Sequence, residues 1–172
     1  MLRTKTNIVV VLSTFVASLL ILGVATSGLL NSASAQQQQK FSAKLSGGNE
    51  VPPVNTAGSG VADFQLSADG KSLDYQVNLT KMNSVMAVHI HSGKPGQTGD
   101  PVAGLFNPSM SGPPTGLVNG QLTKGTITST DLVGSLAGKQ ISDLVNLIKS
   151  GSAYVNVHTS NIQNGEIRGQ IS

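Results

Sequence analysis

The sequence predicts an all-β fold, an antiparallel Greek-key sandwich or barrel carrying one short helix. Three observations lead there. From Phe41 onward, apolar and polar residues alternate over short runs, the period of strands with one buried face. Asp69-Gly70, Asn164-Gly165 and several Gly- and Pro-rich stretches interrupt those runs and mark chain reversals. Helical spacing occurs in one place, Ile141–Gly151. About seven or eight short strands joined by Gly-rich turns suit a sandwich or barrel.

The first 35 of the 172 residues read as a leader. Arg3 and Lys5 precede an apolar stretch from Ile8 to Leu30, and Ala33-Ser34-Ala35 has the small-x-small form of a cleavage site. The expectation is a signal peptide over residues 1–35. A retained N-terminal anchor is the alternative, because the apolar stretch is close to the roughly 20 residues that span a bilayer. Either way the domain is expected outside the cytoplasm, secreted or at the cell surface. Residues 36–40 read as a polar spacer and 41–172 as a single domain.

Within that domain, Phe41, Ala43 and Leu45 alternate with Ser42 and Lys44 in a first strand. Gly47–Pro53 is an irregular loop, since Pro52 and Pro53 cannot donate to a ladder. Ala62–Leu66 and Leu73–Leu79 flank Asp69-Gly70 and form the clearest hairpin. Val85–His91 is the next strand, followed by a Gly/Pro loop, the apolar run Val102–Phe106 and a second loop over Asn107–Gly116. Leu117–Thr128 reads as one or two strands broken by Gly120 and Gly125, and Ser129–Leu136 as a possible helical turn. In Ile141–Gly151, Leu144, Leu147 and Ile148 share a face, Ser142 or Asp143 is placed to cap the start, and Gly151 ends the helix. Tyr154–Thr159 and Glu166–Ile171 close the domain as strands.

Composition removes several functions. Two of the 11 Lys and Arg lie in the leader, which leaves nine against eight Asp and Glu, scattered without a basic stripe. With only five aromatic rings after residue 35, nucleic acid is not an expected partner. No cysteine is present, so thiolate nucleophiles, Cys-based zinc sites and blue-copper sites are excluded. No G-x-S-x-G elbow or phosphate-binding glycine loop occurs.

The three histidines concentrate what chemistry remains. His89 and His91 stand two apart in one strand and His158 lies in another, each flanked by apolar residues of opposite parity. If the strands are neighbours, three imidazoles converge. Two readings lead, with acid–base catalysis by the imidazoles as a lesser third. The rings can bond the backbone of the Ser92–Gly99 loop and fix it. Alternatively His89, His91 and His158 form a three-nitrogen site for copper or zinc. Met86 has the wrong parity to assist, and the methionines read as core filler. Glu166 and Arg168, two apart on one face, read as an ion pair, and a catalytic role for Glu166 is the lesser alternative.

Ala87–Gly93, Gly151–Thr159, Asn164–Gln170 and the opening Phe41–Pro53 together resemble the CHRD domain. The resemblance covers roughly Phe41 to Ile171 and implies an extracellular β-barrel of immunoglobulin-like type. The His-x-His strand is also similar to a feature of copper/zinc superoxide dismutases, whose further metal-binding histidines and disulfide are missing here. The resemblance implies no assigned activity. The expected function is a non-enzymatic binding or structural module of the cell envelope, its partner an extracellular protein or glycan. The alternative is a metal-binding protein, and an enzyme comes third.

Overall fold

The computed structural model describes residues 38–107 and 116–172, which lie within one unit spanning residues 35–172. The expected signal peptide, the start of the spacer, most of the Asn107–Gly116 loop and Met110 lie outside the described residues.

Eight strands form one sheet. They are β1 (Lys40–Ser46), β2 (Ser59–Leu66), β3 (Ser72–Asn83), β4 (Val85–Ser92), β5 (Pro101–Phe106), β6 (Leu117–Thr128), β7 (Ala153–Thr159) and β8 (Ile167–Gln170). Their order is β5-β4-β7-β8-β1-β2-β3-β6, and every named pairing is antiparallel. The sheet curls until its two edge strands nearly meet. There the Tyr75 hydroxyl of β3 donates to the Leu105 carbonyl of β5 at 2.8 Å, and the Thr123 hydroxyl of β6 donates to it at 3.4 Å. The result is a nearly closed Greek-key barrel, which leaves little unpaired edge.

Alternation decides which side chains go inside. In β1 and β2, Ala43 pairs with Ala62 and Phe41 with Phe64, so their shared face becomes the barrel interior. Val77 and Leu79 of β3 continue it, as do Val88 and Ile90 of β4 and Val155 and Val157 of β7. Burying each such aliphatic side chain contributes about 1.5–3 kcal/mol. The Asp69-Gly70 turn forms as expected, with Gly70 at φ +70°. Leu117–Thr128 is one bulged strand, not two, with Gly120 at φ +126° beside a register shift.

Helix α1 (Ile141–Lys149) buries Ile141, Leu144, Val145 and Ile148 against the core. The start of the helix differs from the sequence expectation. Gln140 is the N-cap, and Asp143 sits at the third helical position, accepting from the Gln140 N–H at 2.9 Å. An Asp at the third helical position reaches back to the cap residue's N–H, whereas an Asp at the cap would accept from the second or third helical N–H. Ser129–Asp131 and Gly134–Leu136 are short 3-10 turns where a helical turn was expected.

Candidate metal centre

Strand β4 pairs directly with β7, with His89 opposite Asn156, His91 opposite Tyr154 and Ala87 opposite His158. Residues paired across antiparallel strands share a face, so all three histidines project away from the core. Their apolar neighbours Val88, Ile90, Val155 and Val157 fill the interior. The ring centroids form a nearly equilateral triangle, with sides of 5.7, 5.3 and 5.5 Å. One nitrogen from each ring lies within 4.8 Å of the others. The sequence expectation of convergence therefore holds for His89, His91 and His158 together.

This outward face is not bare. The loop after β4 folds back over it, held by Ser92 N–H to the Asp100 carbonyl at 3.0 Å and Gly93 N–H to the Ser152 carbonyl at 2.8 Å. Gly99 N–H donates to the Tyr154 hydroxyl at 3.2 Å. A side chain at Gly99 would overlap the Ser92 carbonyl, so only glycine allows this closure. The loop thereby places the Gly99 carbonyl 2.8 Å from His91 Nδ1. A second turn, after β7, places the Gln163 carbonyl 2.9 Å from His158 Nδ1.

Those two carbonyls fix the tautomers. A carbonyl accepts only, so Nδ1 carries the proton in both rings, and Nε2 is left with its lone pair. The two Nε2 atoms then face each other at 3.4 Å. Burial holds the rings neutral. His89 is pushed down to about 4 by burial and then by the neighbouring His158 and His91. Burial lowers His91 against the opposing pull of the Gly99 bond, and it lowers His158 against that of Gln163. Neutral rings with converging lone pairs repel one another unless a cation lies between them.

The donor set fits a metal. A tetrahedral centre with nitrogen ligands at about 2.0–2.1 Å places those nitrogens about 3.3 Å apart. His91 and His158 already stand at this spacing, and the ligand nitrogens of all three rings lie within 4.8 Å of one another. Each Nδ1–H bonded to a carbonyl is also the outer contact that orients metal-ligating imidazoles. The loop-fixing bonds of the first reading are therefore present, and the same bonds aim the rings at one another. Met82 is core filler as expected, whereas Met86 is not: the irregularity between Val85 and Ala87 breaks the alternation there and leaves Met86 exposed.

The expected Glu166–Arg168 ion pair is not formed. Glu166 precedes β8, and its two oxygens accept from the hydroxyls of Thr56 and Thr159, both at 2.7 Å. It fastens the turn that carries Gln163. Arg168 pairs with Glu50, 3.6 Å away, a residue the sequence reading passed over because 118 positions separate the two. The guanidinium lies over the Tyr154 ring at 5.0 Å, and Tyr154 stacks on His91 at 5.2 Å. A larger cavity of about 800 Å³ opens beside Phe41, Phe64 and Tyr75 and includes no histidine.

Compared with known proteins, residues 41–171 match the family model described as CHRD domain. No curated protein and no solved structure matches the chain.

Proposed function

This chain belongs to the CHRD domain family, and we propose that it is an exported metal-binding protein holding Cu(II) or Zn(II) through His89, His91 and His158. The observation that carries the reading is the approach of His91 Nε2 to His158 Nε2 at 3.4 Å while both Nδ1 atoms are committed to carbonyls. Three neutral imidazoles without thiolate or thioether partners suit borderline cations. Three protein ligands leave a further position open to water or another ligand.

Export is supported by the composition of residues 1–35, a short basic start, an apolar stretch and a small-x-small site. The mature protein then begins at Gln36, which mass spectrometry of the secreted material tests directly. Titration calorimetry of the purified chain with Zn(II) and Cu(II) tests the centre. One equivalent is expected to bind, with binding lost in folded His89→Ala and His158→Ala variants. Equal binding by those variants refutes the reading.

A non-enzymatic binding module is the second reading. It is favoured by the two loops, Gly47–Val54 and Gly93–Asp100, that build a cleft over the polar face.

A further inference from the structure

The loop between β4 and β5 has to hold one carbonyl in one place, because the Gly99 carbonyl decides which nitrogen of His91 carries the proton. A loop containing Pro95, Gly96 and Gly99 keeps such a position only where its backbone is pinned. Its first end is pinned from β8, where Gln170 Nε2 donates to the Gly93 carbonyl at 2.8 Å. Its last end meets the Tyr154 hydroxyl through the Gly99 N–H. Among the described residues, one hydrogen bond ties the stretch between them, residues 94–98, to the rest of the domain. In it Arg168 Nη1 donates to the Gln97 carbonyl at 2.9 Å, two residues before Gly99.

Arg168 is itself held in place for this contact. Its side chain is 4% exposed. Its Nε donates at 2.6 Å to the carbonyl of Asn49, in the loop after β1, and Asn49 Nδ2 donates back to the Arg168 carbonyl at 3.1 Å. The guanidinium also lies over Tyr154, the ring that stacks on His91. A planar fork makes all three contacts at once, the two carbonyl bonds through different nitrogens and the ring contact through its face. Glu50 is the lesser partner. Its Oε2 stands 3.6 Å from Nε, farther than either carbonyl, and burial raises its carboxyl to about 7, so at neutral pH it is only partly charged. The short bonds of the arginine go to loop backbone.

We propose that Arg168 is the positioning residue of His91. By clamping the Gln97 and Asn49 carbonyls to β8, it keeps the Gly99 carbonyl on His91 Nδ1 and so keeps Nε2 unprotonated and aimed at His158. The consequence for metal affinity rests on the metal-centre reading above, whereas the effect on the tautomer does not. His158 takes its Nδ1 bond from Gln163, in a different turn, and serves as an internal control.

The test is long-range proton–nitrogen NMR of the metal-free full chain at neutral pH, with isotope-labelled histidine rings. The parent is expected to show the Nδ1–H tautomer at both His91 and His158. Arg168→Lys keeps the charge but puts one nitrogen in place of the fork. In that variant His91 should turn to a mixture of tautomers while His158 stays as it was. Its zinc affinity should fall about 10- to 100-fold. Glu50→Gln leaves the carbonyl bonds in place and should change neither. A parent whose His91 is not Nδ1–H overturns the proposal. So does a single Nδ1–H tautomer or parent zinc affinity in Arg168→Lys, or an equal loss in Glu50→Gln. Where the arginine variant does not fold, the parent decides. Coupling between clamp and centre is reciprocal, so saturating zinc should slow hydrogen exchange at Gly99 N–H and Arg168 Nε–H relative to Gly70 N–H in the β2–β3 turn. Unchanged exchange at both overturns the proposal. A parent that binds no zinc refutes the metal centre, and the tautomers, read without metal, still decide on Arg168.

Discussion

Acidification of the metal-free protein should destabilise it through His89, by an amount the structure sets. His89 lies at about 4 in the folded protein and at about 6.5 in an unfolded chain. Between those values the unfolded state takes up a proton that the folded ring refuses. Stability is therefore lost as pH falls below about 6.5, and the loss levels off below about 4. From pH 7 to pH 5 the two values correspond to about 2 kcal/mol, and solvent reaching the half-buried ring brings this closer to about 1 kcal/mol. Glu50 opposes the trend. Burial raises it to about 7 against the pull of Arg168, so the folded carboxyl takes up a proton first, and acidification from pH 7 toward 4.5 stabilises. The informative quantity is thus a difference. Urea unfolding with chelator at pH 7 and pH 5 should show the parent losing about 1–2 kcal/mol more than His89→Gln over that interval. Parallel pH profiles for the two proteins would refute the assignment of a buried, neutral ring to His89.

Other substitutions probe the supports of the centre and of the barrel. Gly99→Ala drives a methyl into the Ser92 carbonyl and should pull the Gly99 carbonyl away from His91. Zinc affinity, read by competition with a chromogenic chelator, should fall about 10- to 100-fold while circular dichroism still reports a folded sheet. Tyr154→Phe removes the hydroxyl that accepts from Gly99 N–H and should cost about 1 kcal/mol in urea unfolding, with no loss of the His91 stacking. Leu144→Ala truncates a side chain with no exposed surface under α1 and should cost about 2–5 kcal/mol, lowering the thermal midpoint without altering metal stoichiometry.

What the sequence discloses here is set by range. Strand parity is a local property, so Val88, His89, Ile90 and His91 already declare which of them face the core and which face outward. The Asp69-Gly70 turn and the apolar stripe of Leu144 and Ile148 are local in the same sense. Pairing across distance is not. Nothing in either segment states that β4 lies against β7, and the convergence of the three rings depends on that pairing and its register. The Glu50–Arg168 contact is still more remote, and a nearer acid, Glu166, offered a plausible but unformed alternative. The cap of α1 was misplaced because Gln140 and Asp143 divide a role that Ser142 or Asp143 could each fill alone. The CHRD resemblance covers the same residues, 41–171, as the family model, without indicating which face carries the histidines.

His91 and His158 stand 67 residues apart, with β5, β6 and α1 strung between them. A cation gripped by both therefore closes a long loop of chain, much as a disulfide would, in a protein that has no cysteine to make one. Cross-links spanning loops of that length are worth about 4 kcal/mol when their effect is to restrict the unfolded chain. Such a staple differs from a sulfur bridge in its trigger. It would be fastened and released by metal supply and acidity, and would be indifferent to the oxidants and reductants that govern thiols.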